Sequence, residues 1–507
     1  MRLEHSLKSE VKPLKFGTDG IRGRADEFPF TNEALVRLGW AIAQWINKTY
    51  GSVGSVGSGT TQKKTTQTNK ILTRILIGTD TRESCTRIKQ ALVSGLQLLK
   101  NETSREISHA EIIDHGITDI DIEIIDAGVI PTPAIYKLIK TEPDFDIGIV
   151  ISASHNPYHD NGIKLFQEKT GKLTPEDEHI ICDFFTKYPG TQTDISIETN
   201  PETILEKKLS TNKTIIWEQA RDSYIKAVTE RFTPDFLLGY TIVLDCAHGA
   251  TYNVAQSIFN KLGASVITLA VEPDGTNINN SCGSLHPENL QKAVVAHNAH
   301  VGFAFDGDGD RVIAVDKHGT IKDGDDILAL LLELPEYKNL DRVVGTVMTN
   351  NGFEESLVRK NKLLLRTPVG DKYIAACLDT EKLLLGGENS GHIIMKDYLA
   401  TGDGIFVALK VLESMIINKN WLLKTFNKHA QILINLPITT KQDLAQEPCV
   451  SIILQHERDL HDGRVLVRYS GTENVLRVMA EGPNYEQTHA CARLLAQELQ
   501  EVLNTEQ

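Results

Sequence analysis

Apolar positions along the chain follow two rhythms: short β-branched runs, and longer stretches with an apolar residue every third or fourth position. Residues 31–47 carry Leu35, Leu38, Ile42 and Ile46 at helical spacing behind Thr31, a hydroxyl suited to N-capping. Residues 74–77 read as a strand, 88–99 as a helix and 122–125 as a strand. GVIPTPAIYKLIK then reads as a Pro-marked turn into a helix. The run Ile147, Ile149, Val150, Ile151 suits a strand buried on both faces. A helix over 217–231 precedes a strand at 241–244 and a further strand–turn–helix–strand unit. After Asp323 the alternation resumes: ILALLLELP as helix, RVVGTVMT as strand, LLLRTPVGDKYIAACL as strand, turn and helix. Such alternation predicts α/β units, parallel strands covered by helices. The pattern then changes. Strands at 431–436, 450–454 and 465–469 and a helix over 485–503 predict a small separate α+β domain. A chain of 507 residues is too long for one core, so three or four domains are expected.

Three stretches fall outside these rhythms. Residues 51–70 are Gly/Ser/Thr-rich, 101–119 are polar and irregular, and 190–212 are Thr-rich; they read as two inserts and a linker. The net charge of -14 argues against a nucleic-acid or anionic-membrane partner, and no apolar run approaches the ~20 residues of a membrane span. The 7 cysteines lack a CxxC pair, and the charged N-terminus lacks an apolar core, so a reduced, cytoplasmic setting without a signal peptide is expected. Neither GxGxxG nor GxxxxGK[ST] occurs, so dinucleotide and P-loop sites are not supported.

Candidate chemistry concentrates where buried runs break into small polar loops. The run at 147–151 ends in SASHNP, with Lys164 close behind, and loops after buried α/β strands are common ligand sites. That loop is expected to be exposed, and a plain chain-reversing turn fits it equally. His155 is a poor base for Ser154, since neighbours in an extended segment point to opposite sides. A serine that carries a phosphoryl group fits better. KFGTDGIRGR holds three glycines, and its Arg22 either points into a site or caps a turn.

In FAFDGDGDRVIAV, glycines let Asp306, Asp308 and Asp310 converge. Carboxylates that close repel unless a cation lies between them, and oxygen ligands specify a hard ion, Mg²⁺ or Ca²⁺. An EF-hand fails, because Arg311 and Lys317 occupy its glycine and glutamate positions. The alternative is an acidic solvated turn. In LLLGGENSGHII, Glu388, Asn389, Ser390 and His392 suit sugar hydroxyls or, equally, a hydrogen-bonded hairpin turn. In RYSGTENVLRVMAEG, Arg468, Ser470, Gly471, Thr472 and Arg477 suit an anion cradle, against a charged hairpin.

GTDGIRG, ISASHNPYHDNGIK, DGDGDR, GGENSGHII and RYSGTEN, in that order, resemble the α-D-phosphohexomutase family over nearly the whole chain. DCAHGATYNVA, GTNINNSCGSLHPENL and VGDKYI point to its branch acting on glucosamine phosphates. The resemblance implies three related mixed α/β-sheet domains plus a smaller C-terminal α+β domain around a central active-site cleft. The expected boundaries are 1–205, 206–318, 319–430 and 431–507. It implies that Ser154 is phosphorylated and, with Asp306, Asp308 and Asp310, binds Mg²⁺. Glu388 and Ser390 match sugar contacts, and Arg468, Ser470, Gly471, Thr472 and Arg477 match a phosphate clamp. Arg22, Lys164, Arg311 and His392 match charged or proton-handling positions. A hexosamine or hexose 1,6-bisphosphate is the implied activator. A sugar phosphate is the implied substrate, and a bisphosphate or kinase primes Ser154; a homodimer is allowed.

The expected reaction interconverts glucosamine 6-phosphate and glucosamine 1-phosphate. Mannose and glucose phosphates are rival substrates, and a non-catalytic sugar-phosphate-binding protein is a rival of another class. Two departures bear on substrate choice. Pro368 stands where several members carry lysine, leaving Arg366 or Lys372 as substitutes, and Asn389 stands where the branch commonly has glutamine.

Overall fold

The computed structural model describes residues 12–51, 71–98, 120–189, 214–470 and 474–505. The expected inserts and linker fall outside this range, apart from Gly51, whose N–H bonds to Asn47 O at the end of the first helix.

Four sheets follow one another along the chain. The first holds β1 (Ile21–Arg24), β2 (Ile71–Thr79), β3 (Ile120–Val129), β4 (Ile147–Ile151), β5 (Asp160–Gln167), β6 (Gly171–Lys172) and β7 (Thr214–Ile216). Its order is β1-β5-β4-β2-β3-β7, with β6 paired to β5. The second holds β8 (Thr241–Asp245), β9 (Ser265–Leu269), β10 (Val301–Phe305), β11 (Val312–Asp316) and β12 (Ile321–Lys322), in the order β12-β11-β10-β8-β9. The third holds β13 (Arg342–Thr346), β14 (Leu363–Thr367), β15 (Leu385–Gly387) and β16 (Ile393–Met395), in the order β14-β13-β15-β16.

These three sheets share one plan. Parallel strands lie side by side, four in the first sheet and three in each of the others, and an outer one turns back through a short loop into an antiparallel neighbour. The pairs are β4–β5, β10–β11 and β15–β16. Their central strands are buried on both faces, as parallel strands flanked by helices must be.

Elements form largely where the periodicity places them. The first helix, Asn32–Tyr50, starts behind Thr31, whose Oγ1 accepts from Ala34 N at 3.3 Å. It crosses the helix Ser84–Leu96 closely: a Cβ on Gly39 would lie 2.1 Å from Leu92 O, so only glycine fits there. The strand expected at 122–125 runs from Ile120 to Val129.

The C-terminal unit contains β17 (Ala430–Pro437), β18 (Arg464–Tyr469) and β19 (Val475–Gly482), all antiparallel in the order β17-β19-β18, backed by the helix Tyr485–Thr505. Two differences from the sequence reading occur here. The strand expected at 450–454 is part of a helix, Cys449–Asp459, because its apolar residues Cys449, Ile452 and Ile453, with Leu460 just past its end, lie on one side against the unit's core. Residues of the expected cradle also extend into a strand, β19.

The cores explain how the units are joined. One continuous apolar cluster runs from Ile135 and Leu138 through Tyr224, Leu244 and Phe303 to Leu328 and Leu412, binding the first three units together. The C-terminal unit keeps a separate core around Leu476, Val478, Leu495 and Leu499. Its hold on the third unit includes polar groups, with Arg464 donating to Val347 O and Thr349 O, and Gln431 to Met348 O. Among the described residues, no helix is long and apolar enough to cross a membrane.

Candidate active site

The three hairpin loops that close the related sheets carry the residues singled out in the sequence: 152–159 after β4, 306–311 after β10 and 388–392 after β15. Ser154 Oγ donates to Asp306 Oδ2 at 2.5 Å. The serine is 1% exposed, so the expectation of an exposed loop is corrected. Gly307 of the second unit packs directly over it, a contact no local pattern announces.

His155 also lies on the same side as the serine hydroxyl, contrary to the expectation from an extended segment. Ser154 has φ 55°, so the chain is turned there rather than extended, and His155 Nδ1 lies 3.3 Å from Ser154 Oγ. Burial, helped by the cations Arg311 and Arg22, pushes the imidazole down to about 3.

Asp306, Asp308 and Asp310 are all buried, and oxygens from the three lie within 4.8 Å of one another. Burial and the repulsion of Asp310 and Asp308 push Asp306 well above the usual carboxylate range. Asp308 Oδ2 accepts from Thr132 Oγ1 at 2.6 Å and from Lys164 Nζ at 2.9 Å. Asp308 Oδ1 is buried without a hydrogen-bond donor, and Asp310 Oδ1 has only the longer contacts to His392 Nδ1 at 3.6 Å and Arg311 Nε at 3.9 Å. Two carboxylate oxygens without a close donor, facing a third carboxylate, fit a hard divalent cation.

A ring of acidic and basic side chains adjoins this centre. Lys164 Nζ reaches Asp19 Oδ2 at 2.6 Å and Asp310 Oδ2 at 2.9 Å. Asp19 Oδ1 meets Lys172 Nζ at 2.6 Å, and Lys172 pairs with Asp371. His392 closes the ring, with Nε2 3.8 Å from Asp371 Oδ2 and Nδ1 3.6 Å from Asp310 Oδ1. The ring draws on all three related units.

Burial alone would lower Lys164, but Asp19, Asp308 and Asp310 hold it well above its ordinary value. His392 is raised in the same way, with Asp310 and Asp371 overcoming burial. Arg22 donates to Asp19 Oδ2 at 3.0 Å. Asp19, Lys172, Asp371 and Thr132 were not singled out in the sequence; GTDG and GDKYI are the only local hints of two of them.

The third loop holds Glu388 Oε1 on Gly370 N at 2.9 Å and Glu388 Oε2 on Ser390 Oγ at 3.4 Å. Of the two substitutes for the lysine missing at Pro368, Arg366 is engaged elsewhere, while Lys372 lines a cavity together with Asp19, Lys164 and Lys172. Arg366 donates to Thr346 O, Thr349 O, Asn351 Oδ1 and Glu354 Oε2, and Lys372 Nζ lies 5.4 Å from the Tyr373 ring centroid.

From the C-terminal unit, Arg468 and Arg477 face each other across β18 and β19. Burial and the like charge of Arg477 lower Arg468, with Glu388 opposing them. An anion would relieve such a pair. Ser470 is buried, and Gly471 and Thr472 lie outside the described residues.

Comparison with known proteins agrees with this architecture. The phosphoglucomutase/phosphomannomutase family models match throughout: alpha/beta/alpha domain I at residues 13–105 and 100–191, domain II at 222–319, domain III at 323–433 and the C-terminal domain at 433–498. The chain belongs to this family, and it is an isomerase of the phosphohexomutase class.

Its relatives narrow the class. It is 37% identical over 506 residues to the phosphoglucosamine mutase of Myxococcus xanthus, covering 98% of this chain and 99% of that one. It is 39% identical over 487 residues to the phosphoglucosamine mutase of Acinetobacter baumannii, covering 95% and 97%. Phosphoglucosamine mutase is the function these relatives support. The fold is also that of Aspergillus fumigatus N-acetylphosphoglucosamine mutase in complex with GlcNAc-6P and magnesium, at 16% identity and TM-score 0.61, covering 97% of this chain and 96% of that one. A serine-to-alanine variant of that fungal enzyme has been seen in complex with glucose 1,6-bisphosphate.

Proposed function

We propose that the chain interconverts glucosamine 6-phosphate and glucosamine 1-phosphate, with Ser154 carrying the transferred phosphoryl group. The observation that carries this reading is the buried contact between Ser154 Oγ and Asp306, within a carboxylate cluster fit for a cation. The phosphoryl group passes from Ser154 Oγ to the free hydroxyl of the substrate. The Oγ–P bond breaks, a new O–P bond forms, and a 1,6-bisphosphate results. After this intermediate turns over, its other phosphoryl group returns to Ser154. Phosphoryl transfer of this kind depends on positioning and charge neutralisation.

Asp306, Asp308 and Asp310, with an oxygen of phosphorylated Ser154, would hold Mg²⁺, which when bound neutralises charge on the transferring group. Lys164 donates to three carboxylates, an arrangement suited to a fixed positive charge rather than a proton acceptor. His392, set between two aspartates, is the imidazole placed to handle the hydroxyl proton, whereas His155, 3.3 Å from Oγ and pushed down to about 3, is too weak a base to take it. Glu388 and Ser390 would take sugar hydroxyls. Arg468, Ser470, Gly471, Thr472 and Arg477 would hold the phosphate that does not react. Arg22 and Arg311 supply further positive charge around the transferring group.

A coupled assay comparing glucosamine, glucose and mannose phosphates tests substrate choice, and intact-mass measurement tests for phosphoserine. Glucosamine phosphate should give the highest kcat/KM, and Ser154→Ala should lose the phosphate and nearly all turnover. Near-normal turnover in Ser154→Ala overturns the mechanism.

A further inference from the structure

Ser154 adopts a left-handed backbone that serine rarely takes, so something around it must enforce that conformation. Both peptide groups of the residue are held from one source. Its N–H donates to Ser152 Oγ at 2.9 Å, and Ser152 Oγ donates to Asp80 Oδ2 at 2.6 Å. Asp80 Oδ2 also accepts from Arg82 Nε at 2.9 Å. Arg82, fully buried, turns its Nη2 onto Ser154 O at 3.0 Å and Asn156 O at 2.8 Å, and its Nη1 onto Pro157 O. The frame thus runs from Ser154 N–H through Ser152, Asp80 and Arg82 back to Ser154 C=O.

A second donor comes from another unit. Asn279 Nδ2 donates to Ser154 O at 2.9 Å and to Asn156 O at 3.1 Å. Asn279 is itself left-handed, with φ 58°. A Cβ on Gly307 would meet Ser154 O at 2.5 Å and Asn279 Nδ2 at 2.8 Å, so the carboxylate loop lies flat against this junction. The stretch bearing Arg82 is bonded to the same second unit, through Thr81 Oγ1 to His248 O at 2.6 Å and Glu83 N to Gly275 O at 3.0 Å.

We propose that the Asp80–Arg82 pair and Asn279 are positioning residues for the phosphoryl carrier: they hold Ser154 left-handed and so aim its Oγ at Asp306. None of the three side chains needs to touch substrate. Relaxation of Ser154 to an ordinary backbone would swing its Cα–Cβ bond and carry Oγ away from the carboxylates. Because Asn279 belongs to the second unit, the carrier is aligned only when the first two units are docked. The inference rests on the reading that Ser154 carries the phosphoryl group.

Asn279→Gly removes the amide but leaves the backbone free to stay left-handed, and Asn279→Asp replaces the donor with an acceptor. In the full-length chain, each should lower kcat about 10- to 100-fold, the cost expected of an ångström-scale misplacement. KM for glucosamine 6-phosphate should stay within about twofold, because the substrate contacts are elsewhere. Transfer from the bisphosphate to Ser154, followed by intact mass, should slow by the same factor as kcat, with little change in Tm for Asn279→Gly. Arg82→Lys keeps the charge but lacks the fork that spans Asp80 and the loop carbonyls, and should lose at least as much. Wild-type kcat in Asn279→Gly overturns the proposal. So does a loss seen mainly in KM, or one that follows a collapse in Tm. The wild-type control separates this from the underlying reading: turnover without phosphoserine overturns the proposed reaction itself.

Discussion

The attachment of the C-terminal unit rests heavily on one arginine. Arg464 Nε donates to Glu481 Oε2 at 2.6 Å, Nη1 to Val347 O at 2.9 Å and Nη2 to Thr349 O at 2.8 Å. Glu481 is fully buried, and its other oxygen accepts from Asn351 N at 2.6 Å. Arg464→Met keeps most of the aliphatic stem but strands the Glu481 carboxylate at the junction. Breaking a buried pair costs about 3–5 kcal/mol. The arginine side chain is 19% exposed, so returning water lowers the expected cost to about 2–4 kcal/mol. At about 1.4 kcal/mol per decade, the docking equilibrium shifts roughly 30- to 700-fold.

Arg468 lies four residues along the same strand, so loosening this latch should displace the proposed phosphate clamp. Steady-state kinetics of Arg464→Met should show a raised KM for both glucosamine phosphates, with a smaller fall in kcat. Scanning calorimetry should show an earlier transition. Adding Glu481→Gln should recover part of the loss, since a neutral amide is no longer a stranded charge. Wild-type KM and an unchanged melting profile in Arg464→Met would refute the reasoning. A double variant as damaged as the sum of its singles would refute the stranded-charge account.

Asp308→Asn removes one of three converging carboxylates and should weaken Mg²⁺ binding, with excess Mg²⁺ restoring part of the rate; wild-type metal affinity by calorimetry would count against the cluster. Arg468→Ala should lower kcat/KM about 10- to 150-fold, as loss of one charge-assisted bond predicts, and weaken binding of both monophosphates in calorimetric titration. Burial, with Asp323 beside it, raises Asp325 to about 7, against the bond from Asn350 N. Its folded value lies above the unfolded one, so its contribution to stability is present below about pH 4 and is lost as pH rises toward 7. The Tm of Asp325→Asn relative to wild type should therefore climb over that window, and a constant difference would contradict the assignment.

The loops that carry the chemistry were legible because each is a polar break between apolar runs: SASHNP, DGDGDR, ENSGH and RYSG. What joins them was not. Asp19, Lys172 and Asp371 are ordinary charged residues in sequence, and their ring exists only because three sheets meet. The burial of Ser154 likewise depends on Gly307 and Asn279, more than 100 residues away. The helix Cys449–Asp459 was misread because V-S-I-I-L has β-branched character while its neighbours complete a helical face; tertiary packing overrode local preference. The His155 geometry escaped because a positive φ at serine leaves no mark in the sequence.

The three equivalent hairpins have a consequence for biogenesis. The chain is synthesised from its N-terminus, so the serine loop is made first, the carboxylates second and the loop of Glu388 and Ser390 third. No single unit holds a complete catalytic set. On the proposed mechanism, a nascent or truncated chain gains turnover only once the third loop is in place. Completion of the fold acts as the licence for the chemistry.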